Sequence, residues 1–266
     1  MTDVKKYANG VTGLNSGTFT NISFWGLPAV LELTGSKRKI YYNHNEYGFR
    51  GCHKDDIESF TPNAAFGCSF TYGYELEEES TWPYLLAAKN YGVNGGSAQT
   101  VKRLVQEWIP NSDIETVFVL MPPLARREVY NSLTEQYSHL NVYNLNLIAK
   151  SLYSHDPKKV FEWTDDLETK YVMRLVEEFP HLNLFDHKQN VEIYEDCIET
   201  IRRVCDGRKL VIQNSEDPED PDDLGILKLS KDMPAPDNGS RERSHGGEVW
   251  NRKVSQIFSR ELRKLG

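Results

Sequence analysis

Asn63-Ala64-Ala65-Phe66-Gly67-Cys68-Ser69-Phe70-Thr71 carries an apolar run into a glycine and then a serine, and Trp82-Pro83-Tyr84-Leu85-Leu86-Ala87-Ala88 follows downstream. Residues 63–66 read as a strand that Gly67 breaks, and residues 82–88 as a helix. Ser69 therefore falls at the tip of a strand-to-helix turn. A serine there presents its hydroxyl above the sheet edge, with backbone N–H groups pointing at whatever the hydroxyl attacks. The pattern favours a nucleophile over a merely structural turn. A phosphate-binding turn needs a longer glycine run and a lysine, and this stretch has neither. Cys68 is expected to turn away beneath the sheet and to pack as an apolar residue.

Outward from the turn, strands alternate with helices. Asn90-Tyr91-Gly92-Val93 reads as a second strand ending in a glycine loop. Val101, Leu104, Val105 and Trp108 recur at helical spacing within residues 98–109. Residues 115–121 form an apolar run typical of a strand covered on both faces, stopped by Pro122-Pro123. Residues 165–179 predict a helix with Thr164 as N-cap and acids in its first turn. Residues 191–204 and 249–265 read as helices, and 209–213 and 226–229 as strands. Ile40-Tyr41-Tyr42 reads as a short strand, whereas residues 1–35, rich in Gly, Asn, Ser and Thr, read as a loosely ordered or draped arm. Residues 124–163 read as an insertion of loops and short helices. The alternation predicts an α/β fold, a three-layer α/β/α sandwich with a small, mostly parallel sheet. Residues 1–60 form an N-terminal extension packed on a domain spanning 61–266.

A chain of 266 residues holds one large domain or two small ones. The net charge of −8 argues against a nucleic-acid partner. The cations between Arg241 and Lys264 fall mostly on a solvent-facing helix surface. No apolar run reaches the ~20 residues that span a bilayer. Met1-Thr2-Asp3-Val4-Lys5-Lys6 lacks a secretory apolar core, which points to the cytoplasm. Cys52, Cys68, Cys197 and Cys205 lack metal-site spacing and read as free thiols. The acidic stretch Glu216–Asp223 is interrupted by Pro218 and Pro221, which suits a solvated loop rather than a cation cage. Neither metal nor organic cofactor is expected.

In a parallel sheet, functional groups gather at the carboxyl ends of the strands. Reading those ends in order gives Ser69; then Asn94-Gly95-Gly96-Ser97; then Arg126-Arg127-Glu128; then the stretch from Asp237 through Glu242 to His245 before the last helix. A serine, a glycine loop and a carboxylate near a histidine are the parts of an acyl-transfer site. Asn94, Arg126 and Arg127 are placed on the substrate side, the arginines suiting an anionic substrate. The alternative sets Arg127 and Glu128 in the solvated start of a helix.

These residues resemble the SGNH, or GDSL-type, hydrolases. Gly67-Cys68-Ser69-Phe70-Thr71 is similar to the first block of that family, with cysteine in place of aspartate, as in a subtype of bacterial and phage proteins. Asn90-Tyr91-Gly92-Val93-Asn94-Gly95-Gly96-Ser97 resembles the second block. Thr81-Trp82-Pro83 and Asn45-Glu46-Tyr47-Gly48-Phe49-Arg50-Gly51 also look like the family. The resemblance covers residues 43–120 and 226–260. It implies a flavodoxin-like fold and hydrolysis of an ester by Ser69, with the N–H groups of Ser69 and Gly95 as oxyanion donors and His245 as general base. The acid is open between Asp237, which follows the last strand, and Glu242, which keeps the spacing of three before the histidine. Asp237 is preferred, and a Ser–His pair without an acid is the further alternative. After the third strand, where the family has an oxyanion asparagine, this chain has none before Asn131.

The chain has 14 tyrosines and 5 tryptophans, which suit stacking on sugar rings, so an O-acetylated carbohydrate is the first substrate expected. The rival readings are a catalytically impaired binding module and a structural part of a virion docked through residues 1–35.

Overall fold

The computed structural model describes residues 19–20, 29–32, 39–42, 49–50, 62–74, 76–124, 126–131, 136–141, 187–215, 227–228 and 247–266. The centre is a parallel sheet built from β4 (Asn63–Gly67), β5 (Lys89–Gly92), β6 (Thr116–Met121) and β9 (Lys209–Asn214), with the two-residue β10 (Leu227–Lys228) at one edge. Across the sheet the order is β10-β9-β6-β4-β5, and every pairing is parallel. The chain thus steps outward from β4 to β5 and then returns past β4 to β6. In open α/β sheets the crevice outside the carboxyl ends at such a reversal is where ligands sit.

Side chains alternate along each strand, and this alternation divides the core. Ala64 and Phe66 of β4, with Val117, Val119 and Met121 of β6, pack with α3 (Ala98–Trp108) and α4 (His187–Val204). Ala65, Phe118, Leu120 and Val211 pack instead with Trp82 of α2 (Trp82–Leu85) and with Trp250, Val254, Ile257 and Phe258 of α5 (Glu248–Lys264). All six residues of β6 are buried, as a strand between two apolar layers requires. Trp82 stacks on Phe258 with ring centroids 4.7 Å apart, so the tryptophan read as the start of a helix is also the centre of the second layer.

The N-terminal strands correct one expectation. Within residues 1–35 the chain forms β1 (Phe19–Thr20) and β2 (Ala29–Glu32), which join β3 (Lys39–Tyr42) in an antiparallel sheet, rather than a wholly draped arm. The four-residue run Ala29-Val30-Leu31-Glu32 pairs with β3 on one side, Ala29 opposite Tyr42, and with β1 on the other, Leu31 opposite Phe19. Such pairing depends on the register between neighbouring segments, which a reading of composition does not give.

The stretch after β6 differs too. Residues 126–131 and 136–141 are strands β7 (Arg126–Asn131) and β8 (Gln136–Asn141) of an antiparallel hairpin, not loops and short helices. Arg127 and Glu128 therefore do not begin a solvated helix. The rest of the insertion, the helix expected at 165–179 and the acidic loop at 216–223 lie outside the described residues. Two boundaries move: α4 begins at His187 rather than Val191, and α2 stops at Leu85 before a turn in which Ala87 has φ 48°. No helix among the described residues is long and apolar enough to cross a membrane.

Candidate functional site

Ser69 is the first residue of α1 (Ser69–Tyr72), a single turn mounted on the carboxyl end of β4. Cys68 is extended, and its carbonyl accepts the N–H groups of Thr71 and Tyr72, both at 2.9 Å. Gly73 closes the turn with φ 77°, a left-handed value that glycine adopts without strain, and its N–H donates to the Ser69 carbonyl at 3.0 Å. Ser69 is only 3% exposed. Cys68 is buried with a free thiol.

Two glycines let this turn lie directly on the sheet. Gly67 and Gly92 are side by side in register at the ends of β4 and β5. A Cβ on Gly67 would stand 2.0 Å from the Thr71 hydroxyl oxygen, and one on Gly92 would stand 2.2 Å from the Tyr72 nitrogen. Asn90 adds a latch: its side-chain N–H donates to the Thr71 carbonyl at 2.9 Å, and its amide oxygen accepts the Gly92 N–H at 2.9 Å.

From the other side the turn is held by Arg50, 1% exposed, which donates to the carbonyls of Tyr72 (3.1 Å), Gly73 and Leu76. Its guanidinium lies 4.4 Å from the Tyr42 ring centre and 5.7 Å from that of Tyr72. Burial pushes the Tyr72 phenol well above its ordinary value, so it stays neutral. Phe49 anchors the same segment edge-on against Tyr91 and Trp108. The sequence marked Arg50 as part of a motif but did not reveal this clamp.

The glycine loop follows β5. Val93 N–H donates to the Gly67 carbonyl at 3.0 Å, and Gly96 N–H to the Val93 carbonyl at 2.9 Å. Gly95 has φ 77°, which a side chain would strain. Ser97 then caps α3 in a capping box with Thr100. Asn94 and Gly95 are half-buried.

The two arginines part ways. Arg126 is half-buried and donates to the Gly96 carbonyl at 3.2 Å, which brings it to the glycine loop. Arg127 is 5% exposed and points to α4, donating to the Arg126 carbonyl (3.0 Å) and to Asn190. These contacts tie β7 to α4. Glu128 forks with Arg103 of α3 at 2.6 and 2.8 Å.

The chain end approaches from the opposite flank. Phe70 packs against Trp250 with ring centroids 5.2 Å apart, and Asn251 accepts the Trp82 N–H at 3.0 Å. At the far end of α5, Lys209 at the start of β9 donates to the Gly266 carbonyl. The first turn of α5 is therefore at the carboxyl end of the sheet, beside α1. His245, Asp237 and Glu242 lie outside the described residues; Gly247, the N-cap of α5, is the described residue nearest to His245.

Gln213-Asn214-Ser215, at the carboxyl end of β9, was not singled out from sequence. All three are buried. Asn214 accepts the Tyr194 hydroxyl at 2.9 Å, but both Gln213 amide atoms and the Ser215 hydroxyl have no partner among the described residues. Gln213 is in register with Leu120, which is itself opposite Gly67, so it belongs to the same row as the base of the Ser69 turn. The signal was there: three polar residues ending the apolar run Leu210-Val211-Ile212. A buried amide without partners is costly. Gln213→Leu is therefore expected to raise Tm by about 3–6 °C in calorimetry. A fall in Tm would show that the amide is satisfied by bound water or ligand.

Other chemistry is limited. Burial pushes the Cys197 and Cys205 thiols up to about 12 and about 11, so neither offers a thiolate. Trp82 and Trp250 are buried, so their faces serve the core rather than a sugar. Among the described residues, no group of three His, Cys, Asp or Glu side chains could hold a metal ion. No protein-family model matches the chain, and no curated protein is significantly similar to it.

Proposed function

We propose that this chain is a serine-dependent ester hydrolase of the SGNH type, in which Ser69 forms an acyl intermediate and His245 is the general base. In this reading the parallel sheet and its helices are the three-layer sandwich of that family. The observation that carries it is the placement of Ser69. It begins a clamped turn at the reversal of strand order, flanked by the Gly95 loop and, through the Phe70–Trp250 contact, by the helix that follows His245.

The Ser69 oxygen attacks the ester carbonyl carbon while its proton passes to the His245 imidazole. Negative charge gathers on the carbonyl oxygen, towards which the N–H groups of Ser69 and Gly95 donate. The carbon–oxygen bond to the alcohol breaks, and the alcohol leaves with the proton from His245. Water then repeats the sequence on acyl-Ser69, releasing the acid and the free serine. Asp237 or Glu242 orients the imidazole.

Labelling with a small fluorophosphonate tests this reading. The reagent is expected to modify Ser69 alone, and His245→Ala is expected to abolish the labelling. Because free imidazole protonates near pH 6.5, the labelling rate is expected to fall below about pH 6. No incorporation at Ser69 would leave a binding or structural role for the fold.

A further inference from the structure

Arg126 sets a cation at the glycine loop that no described residue neutralises. Its hydrogen bond to the Gly96 carbonyl engages one N–H, and among the described residues no carboxylate pairs with it. A guanidinium has about five N–H donors in a rigid fork, so most of this one remains available.

The surroundings sharpen the charge. Glu128, the nearest acid along the strand, is taken up in the fork with Arg103, and the first turn of α3 contains no acid. A protein of net charge −8 thus presents a locally positive loop where Gly95 and Gly96 meet β7. A fixed, half-buried cation concentrates anions beside it against the overall repulsion.

We propose that Arg126 binds an anionic group of the substrate, so that the site selects esters bearing a carboxylate or phosphate near the scissile bond. This rests on Ser69 as the nucleophile. Carboxylate and phosphate share the geometry that a guanidinium fork recognises.

The test uses matched ester pairs. Mono-4-nitrophenyl glutarate against 4-nitrophenyl butyrate places the charge on the acyl side. Acetylglycerol 3-phosphate against monoacetylglycerol places it on the alcohol side. In one pair the wild-type kcat/KM is expected to favour the anion by about 10- to 100-fold, a charge-assisted hydrogen bond's worth. Arg126→Gln is expected to bring that ratio to about one, and Arg126→Lys to keep part of it. A wild-type ratio near one in both pairs, or a ratio unchanged in Arg126→Gln, overturns the proposal.

A second arm does not need turnover. Calorimetric titration of the Ser69→Ala protein with glutarate and with glycerol 3-phosphate is expected to show binding of one anion that the Ser69→Ala, Arg126→Gln protein loses. Binding without hydrolysis in the wild type would end the esterase reading and leave anion recognition standing. Hydrolysis without anion binding or preference would do the reverse.

Discussion

Ser69→Ala is expected to lower ester turnover by about 10⁴-fold or more, because no cysteine among the described residues stands ready in its place. Cys68 is adjacent in sequence but buried beneath the turn, and burial keeps Cys197 and Cys205 protonated. The fold should tolerate the change. Alanine suits the first position of a helix, and α1 is held by backbone bonds to Cys68 and by Arg50 and Asn90 rather than by the serine's bulk. Tm is therefore expected to move by no more than about 3 °C. Steady-state kinetics on a nitrophenyl ester, run beside calorimetry, separates the two roles. A serine that merely shapes the turn would lose stability while turnover stayed within a few-fold, and that outcome would remove Ser69 from the chemistry.

Legibility from sequence followed the locality of the physics. β4 and β6 were readable because each is a short apolar run stopped by Gly67 or by Pro122-Pro123, and burial on both faces matches such runs. α3 was readable from its helical spacing, since its buried residues Val101, Leu104 and Val105 are the periodic ones. The start of α4 was not. His187-Lys188-Gln189-Asn190 carries no apolar signal, and the turn is tied down by Asn190 accepting from Arg127, 63 residues away. The β7–β8 hairpin was hidden for a similar reason: Arg126-Arg127-Glu128 lacks apolar alternation and is held instead by contacts to α3 and α4. Within the candidate site, the turn and the glycine loop could be found from residue types. Which carbonyls Arg50 and Asn90 would reach could not, because that depends on distances closed only by folding.

Gly92→Ala is expected to destabilise the protein by at least about 3 kcal/mol, a fall in Tm of roughly 6–12 °C. The added methyl would stand 2.2 Å from the Tyr72 nitrogen, 2.7 Å from the Thr71 carbonyl carbon and 2.8 Å from the Tyr72 Cα, all backbone atoms. A flexible side chain could swing away, but these can retreat only if α1 lifts from the sheet. Lifting it breaks the Asn90 bond to the Thr71 carbonyl and draws Tyr72 and Gly73 from the Arg50 guanidinium, so the strain spreads through the clamp. Ser69 moves with the turn, and labelling of the still-folded protein should slow as well. Gly207→Ala provides the contrast: φ there is +78° but an added Cβ would meet no described residue within 4 Å beyond its chain neighbours, so only backbone strain of about 1–2 kcal/mol is expected. Calorimetry of both variants at one pH decides it. A Gly92→Ala protein as stable as the wild type would mean that α1 does not rest on the strand ends, and the placement of Ser69 above the sheet would fall with it.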